Sequence, residues 1–280
     1  MLLTVTPPRV SIRSMRILAA TLLLGCGLDP EGGLLSAEAK LIVNDHEDSA
    51  EVLGVGVTIA AAPALVLTPA TVTLADAVAA QTNLEISAQP PGCLAVETEG
   101  NRVTYTIDRC TGPWGRVEVS GVAVATFSPG SETGAFVVDA SSDGLTINGV
   151  SAAYAATAEI RVASGARTVD WQGAFSGSTA DGRPVDHEAD VRLVLFDDGA
   201  ASLEGQSSTK VGIRSLEVDI PELMRRGPPG TCAEGTVILE RKLGSLTVTL
   251  TFDGTNEYVA KTSRGGRGTF ELPCTPAGAE

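Results

Sequence analysis

Three observations predict an all-β protein, an antiparallel meander of long strands. Apolar and polar residues alternate with period two in successive runs from residue 84 onward, the pattern of strands buried on one face. Asp-Gly, Asn-Gly and Gly-Gly pairs fall between those runs and supply the positive φ that tight hairpins need. Glycine is abundant at 31 residues and methionine scarce at three, a balance that suits strands and turns better than helices.

The chain begins with a secretory pattern. Residues 15–26 read Met15-Arg16-Ile17-Leu18-Ala19-Ala20-Thr21-Leu22-Leu23-Leu24-Gly25-Cys26, a charged start, a short apolar run and a small residue before the break. The run 17–24 is too short to span a bilayer. Leu23-Leu24-Gly25-Cys26 resembles the lipobox of bacterial lipoproteins, which implies that Cys26 is lipidated and becomes the new N-terminus. Two blander readings are a plain cleaved signal with Cys26 an ordinary cysteine, or a buried helix. In the lipoproteins it resembles, aspartate after the cysteine favours the inner membrane, so Gly27 points to the outer membrane or cell surface. Residues 1–14 add nothing a signal needs, which makes Met15 the expected initiator. The division expected is therefore 1–25 as signal peptide, 26–51 as tether and 52–280 as one β-rich domain.

Charge narrows the partners. The chain carries 34 acidic and 20 basic residues. Arg9, Arg13 and Arg16 leave with the signal, so 17 basic residues remain against the same 34 acidic ones. No basic run of any length exists to neutralise phosphates, which argues against nucleic acid and against lying flat on anionic lipid. The expected contact with the membrane is the lipid anchor alone; a protein, glycan or lipid ligand is the open class of partner.

The elements then follow in order. Residues 27–51 are polar, with Asp29-Pro30-Glu31-Gly32-Gly33 and Asn44-Asp45-His46-Glu47-Asp48, and read as a mobile tether. Residues 52–64 are apolar and small, ambiguous between helix and strand. Residues 73–81 are the best helix candidate: Thr73 can cap, Asp76 sits three residues on, and alanine dominates. Val103, Tyr105 and Ile107 then share one face. So do Val117, Val119, Ala123, Ala125 and Phe127, and the even-numbered residues from Val150 to Val162. Val169, Trp171 and Phe175 follow the same rule. Val185, His187, Ala189, Val191, Leu193 and Leu195 continue it, and Leu246, Val248, Leu250 and Phe252 end it. Turns are expected at Gly100-Asn101, Asp143-Gly144, Asn148-Gly149, Asp181-Gly182, Asp198-Gly199, Asp253-Gly254 and Gly265-Gly266. A one-faced sheet with few helices to cover it must curl on itself. Barrel, sandwich and half-pipe all satisfy that need, with 52–81 plugging the hollow.

Four cysteines follow Cys26: Cys93, Cys110, Cys232 and Cys274. An even count in an exported chain favours disulfides, and no Cys-x-x-Cys supports a zinc or redox site. Cys93 and Cys110 lie at the same end of one hairpin, which suits a staple. Cys232 and Cys274 bracket four expected strands near 235–243, 245–253, 256–262 and 268–273. In a flat sheet the outer two of those strands lie about 14 Å apart. A Cys232–Cys274 bond therefore demands strong curvature, and Cys110–Cys274 is the alternative. Pro91-Gly92-Cys93, then Gly100 to Asp108, then Cys110-Thr111-Gly112-Pro113-Trp114-Gly115-Arg116 resembles a stapled hairpin of uncharacterised Gram-negative surface lipoproteins. The stretch 244–254 with Leu272-Pro273-Cys274 is similar to their closing segment. The resemblance implies architecture and no activity.

Motifs for chemistry are missing. The sequence has no Gly-x-Ser-x-Gly elbow, phosphate loop or dinucleotide fingerprint, and it implies no cofactor and no metal. His46 falls between Asp45 and Glu47 in the expected tether. His187 lies on an apolar strand face and reads first as a core or rim histidine. Asp197-Asp198-Gly199 and Asp143-Gly144 lack the alternating spacing of a calcium loop. Trp171 reads as core, and Trp114, beside Pro113, as a turn aromatic. The sequence thus predicts a lipid-anchored, non-enzymatic structural or binding module. One alternative is a lipid or glycolipid carrier built on a hollow sheet; a second is a glycosidase with two carboxylates across a cleft.

Overall fold

Thirteen strands run up and down in chain order and form one antiparallel sheet. The computed structural model describes residues 73–88, 90–111, 118–178, 182–227, 230–242, 245–272 and 274–276, together with Ala39, Ile42 and Val43. The strands are β1 (Leu94–Glu99), β2 (Arg102–Thr111), β3 (Glu118–Pro129), β4 (Ala135–Ile147), β5 (Val150–Ala163), β6 (Ala166–Ser178) and β7 (Pro184–Phe196). They continue as β8 (Ala201–Val211), β9 (Arg214–Arg225), β10 (Ala233–Arg241), β11 (Leu246–Asp253), β12 (Glu257–Thr262) and β13 (Arg267–Glu271). Each pairs with its neighbour in the chain, while β1 and β13 do not pair with each other. The sheet is therefore a curled partial ring, neither a closed barrel nor a two-sheet sandwich.

The period-two alternation works as expected. On β5, Ala152, Tyr154, Ala156, Ala158 and Ile160 are buried and the residues between them largely exposed. The inner faces join in one apolar core that reaches from β2 to β13. Curvature comes from interruptions in the ladder. Register shifts occur at β3–β4, β8–β9 and β9–β10, among others. Gly205 borders the β8–β9 shift and Gly235 stands one residue before the β9–β10 shift, at φ 140° and 135°. A Cβ at either would stand 2.2 Å from the carbonyl oxygen of Asp190 or Glu222 on the neighbouring strand. Only glycine lets the backbones approach so closely, and bulges of this kind bend a sheet. On the inner face of β6 the Trp171 ring lies where a Cβ of Gly173 would be, 2.3 Å from it. That glycine makes room for the largest side chain of the core.

The helix expected at 73–81 is present as α1 (Leu74–Ala80), with a full capping box between Thr73 and Asp76. A 3₁₀ turn (Gln81–Asn83) and α2 (Leu84–Ser87) follow it. Ala77, Val78, Ala80 and Leu84 are buried. Tyr105 Oη donates to Gln81 Oε1 at 2.7 Å, which ties the helix to β2. The rest of the expected plug, residues 52–72, lies outside the described residues. One expectation needs correcting at the tether: Ala39, Ile42 and Val43 are helical and at most 1% exposed, so they belong to the core. Apolar side chains in a polar stretch have found the one dry surface available.

A second correction concerns Asp143-Gly144. The pair lies inside β4, where the register shifts between Ser142 and Leu145, and forms a bulge rather than a hairpin turn. Ser142 Oγ bonds the Val122 carbonyl and accepts from the Gly144 N–H, which holds the bulge within the sheet. The expected turn at Asn148-Gly149 is real, with both residues at positive φ. So are the turns containing Gly100, Gly199, Gly254 and Gly265.

Both favoured disulfides form. Cys93–Cys110 and Cys232–Cys274 have Cα separations of 5.1 and 5.0 Å, which sets aside Cys110–Cys274. The second bond requires β10–β13 to curl almost into a ring. A parallel bridge between Thr231 and Thr275 lies beside it, and Phe252, Tyr258 and Phe270 stack inside at centroid distances of 5.1 and 5.0 Å.

Candidate functional site

In an up-and-down meander all odd connections fall at one end and all even ones at the other. The β7–β8 and β9–β10 connections and the Cys232–Cys274 bond therefore share one end. The β4–β5, β6–β7 and β8–β9 connections share the opposite end with Cys93–Cys110. At the first end a charged side chain is spent within the fold. Arg225, fully buried, donates through Nη2 to the Gly199 carbonyl at 2.9 Å and through Nε to the Gly227 carbonyl at 3.3 Å. Burial lowers its guanidinium to about 10, so it stays charged at neutral pH and ties two turns together.

The second end holds a cavity of about 560 Å³. Strand register builds it in two rows on the inner face. The deeper row places Phe175 opposite His187, His187 opposite Thr209, and Thr209 opposite Leu216. The shallower row, two residues nearer the opening, places Gly177 opposite Val185, Val185 opposite Val211, and Val211 opposite Arg214. Two residues along a strand are about 6.6 Å, so the rows form consecutive steps of one wall. From β8, the inward residues Thr209 and Val211 line the cavity. Ile42 reaches the cavity from the N-terminal segment.

His187 is the polar group at depth. It is 4% exposed, packs beside Phe175 at a centroid distance of 6.2 Å, and shares a 2.8 Å hydrogen bond between Nδ1 and Thr209 Oγ1. Burial lowers its pKa to about 4, so the ring is neutral at pH 7. Its Nε2 is buried without a hydrogen-bond partner. A neutral imidazole that spends one nitrogen on Thr209 offers the other to whatever enters.

Three arginines line the same cavity: Arg183, Arg214 and Arg241. Arg183 precedes β7 by one residue and keeps the parity of Val185 and His187. Arg214 keeps the parity of Leu216, and Arg241 that of Val237 and Leu239. Each thus occupies an inward position at the end of a strand. Among the described residues of the lining there is no carboxylate.

The residues singled out from sequence divide between the two ends and the core. Trp171 is fully buried, and His187 is buried in the cavity wall. Cys26, His46 and Trp114 lie outside the described residues. The three arginines and Thr209 were not singled out, although Arg183 and Arg214 each stand two residues before an inward apolar position. Asp198 accepts from the Ala200 N–H at 2.9 Å and serves its turn. Among the described residues no cluster of His, Cys, Asp and Glu could hold a metal ion. Comparison with protein-family models, with curated proteins and with solved structures finds no match to this chain.

Proposed function

We propose that this chain is exported, fastened beside the outer membrane by lipid on Cys26, and works there as a binding module without chemistry of its own. The cavity at the open end is its seat. That cavity carries the reading: its volume falls within the range of about 300–1,000 Å³ usual for small-molecule sites. Its wall is apolar, with one unsatisfied polar atom at depth. Two disulfides suit an oxidising compartment, and the lipobox supplies the route there. The Thr209–His187 pair is the one arrangement that invites a hydrolytic alternative. A histidine lowered to about 4 by burial is a weak base at neutral pH, and no carboxylate orients it. The glycosidase reading needs two acids across a cleft, and the described residues of the lining supply no such pair.

The test uses an uncharged fluorescent naphthylamine and the full chain. Saturable one-to-one binding is expected, lost in Leu216→Trp, which fills the deeper row, with circular dichroism confirming that the variant folds. No binding by the native chain would overturn the reading. Palmitate labelling tests the anchor: a labelled band that vanishes in Cys26→Ser supports it, and an unlabelled native chain removes it.

A further inference from the structure

We propose that the cavity takes an uncharged apolar molecule carrying one hydroxyl group, the hydroxyl held at His187 Nε2 and the apolar body lying against Phe175 and Leu216. This rests on the cavity being a binding seat, and it adds what the seat accepts. The placement of one nitrogen is the first argument. His187 projects from the inner face of β7, and its Nδ1 is engaged at 2.8 Å by Thr209 Oγ1 on the neighbouring strand. That bond fixes the ring. Nε2, at the end of the ring away from the backbone, is then turned to the interior, where the side chain lines the cavity. It is buried and has no hydrogen-bond partner among the described residues.

A buried polar atom left unmet destabilises a fold, so it marks a place where a partner belongs. Water suits the place poorly, since a buried water takes about three polar partners. The deeper row has polar side chains at His187 and Thr209, with Phe175 and Leu216 on either side. A hydroxyl that arrives on an apolar body needs only apolar contact for the rest of itself. The tautomers narrow the group further. Nε2 donates when Nδ1 accepts from Thr209, and accepts when Nδ1 donates. A hydroxyl answers either form, whereas a carbonyl answers one. Charge is disfavoured at this depth, because it would lose its water with only a neutral imidazole and apolar side chains to meet it. Size sets the last bound. At about 30 Å³ for each water-sized group, the cavity holds fewer than about 20 such groups, room for two fused rings or one short chain.

Displacement of the fluorescent naphthylamine from the full chain by naphthol, methylnaphthalene and naphthoate tests this. The three share a ring system and differ in the group they bring to His187. Naphthol should bind at least about tenfold tighter than either of the others. In His187→Phe, which keeps a ring of similar size, its advantage over methylnaphthalene should vanish while both still bind, with circular dichroism confirming the fold. On the native chain the ¹⁵N resonance of His187 Nε2 should move with naphthol and stay in place with methylnaphthalene. Equal affinities for those two, or an unmoved resonance with naphthol bound, would overturn the hydroxyl contact and leave the seat intact. Tighter binding of naphthoate would overturn the choice of an uncharged ligand. A native chain that binds neither the naphthylamine nor any of the three would overturn the seat as well.

Discussion

The two ends of the curled sheet solve one problem in opposite ways. At the closed end a charged side chain is used up in the fold: Arg225 is fully buried, and its donors go to the carbonyls of Gly199 and Gly227. A disulfide and a parallel bridge draw β10 and β13 together there, over a stack of three aromatic rings. At the open end the arginines lie along a cavity, and a buried histidine keeps one nitrogen uncommitted. The contrast teaches that the same residue types serve structure where their hydrogen bonds are met within the fold. Where space has been left beside them, as at His187, a buried polar atom stays unsatisfied.

Four perturbations sharpen the contrast. Arg225→Met should cost the most, about 3–5 kcal/mol by urea denaturation, because carbonyls of two turns lose their buried donor. Arg214→Met at the open end should leave the denaturation midpoint nearly unchanged. The disulfides come next. Closing loops of 42 and 17 residues stabilises by about 4 and 3 kcal/mol in the chain-entropy model, so Cys232→Ser/Cys274→Ser should lower Tm more than Cys93→Ser/Cys110→Ser.

The third perturbation is pH. His187 has a folded pKa of about 4, below its unfolded value of 6.5, so between those values only the unfolded chain takes up this proton. Stability should therefore fall as pH drops from 6.5 to 4, by on the order of 3 kcal/mol from this residue. His187→Phe should flatten that part of the stability profile, and an identical profile would contradict the burial argument. The smallest effect is expected on the outer face. Asp170 pairs with Arg161 and Arg192, and Arg192 reaches Glu204 in turn, a charge ladder across β5–β8. Arg192 is half exposed, so Asp170→Asn should cost about 1 kcal/mol or less, and less again at high salt.

How far the sequence revealed this depends on what each strand buries. β5, β7 and β11 carry apolar residues at every second place and were legible from that alone. β8 was not, because its inward residues after Leu203 are Gly205, Ser207, Thr209 and Val211, too small and polar to alternate visibly. Two of those residues, Thr209 and Val211, line the cavity. The strand hardest to read thus supplies part of the cavity wall. β4 was obscured by Asp143-Gly144, a pair that serves a bulge as readily as a turn. The staples were legible because antiparallel counting puts each pair at one end; the curvature that brings Cys232 to Cys274 was not, since bulges at Gly205 and Gly235 are set by approach of neighbouring backbones. His187 was visible as a histidine on an apolar face. The cavity it lines was not, because Thr209, Leu216 and Arg241 come from other strands and only the sheet's register brings them to the same wall.

The most direct measurement is crystallography of the full chain soaked with a brominated, uncharged naphthylamine. The account predicts an anomalous bromine peak inside the sheet, on the wall formed by Phe175, His187 and Leu216. A bromine peak only on the outer face, or a cavity already occupied by the chain's own N-terminal segment, would contradict it.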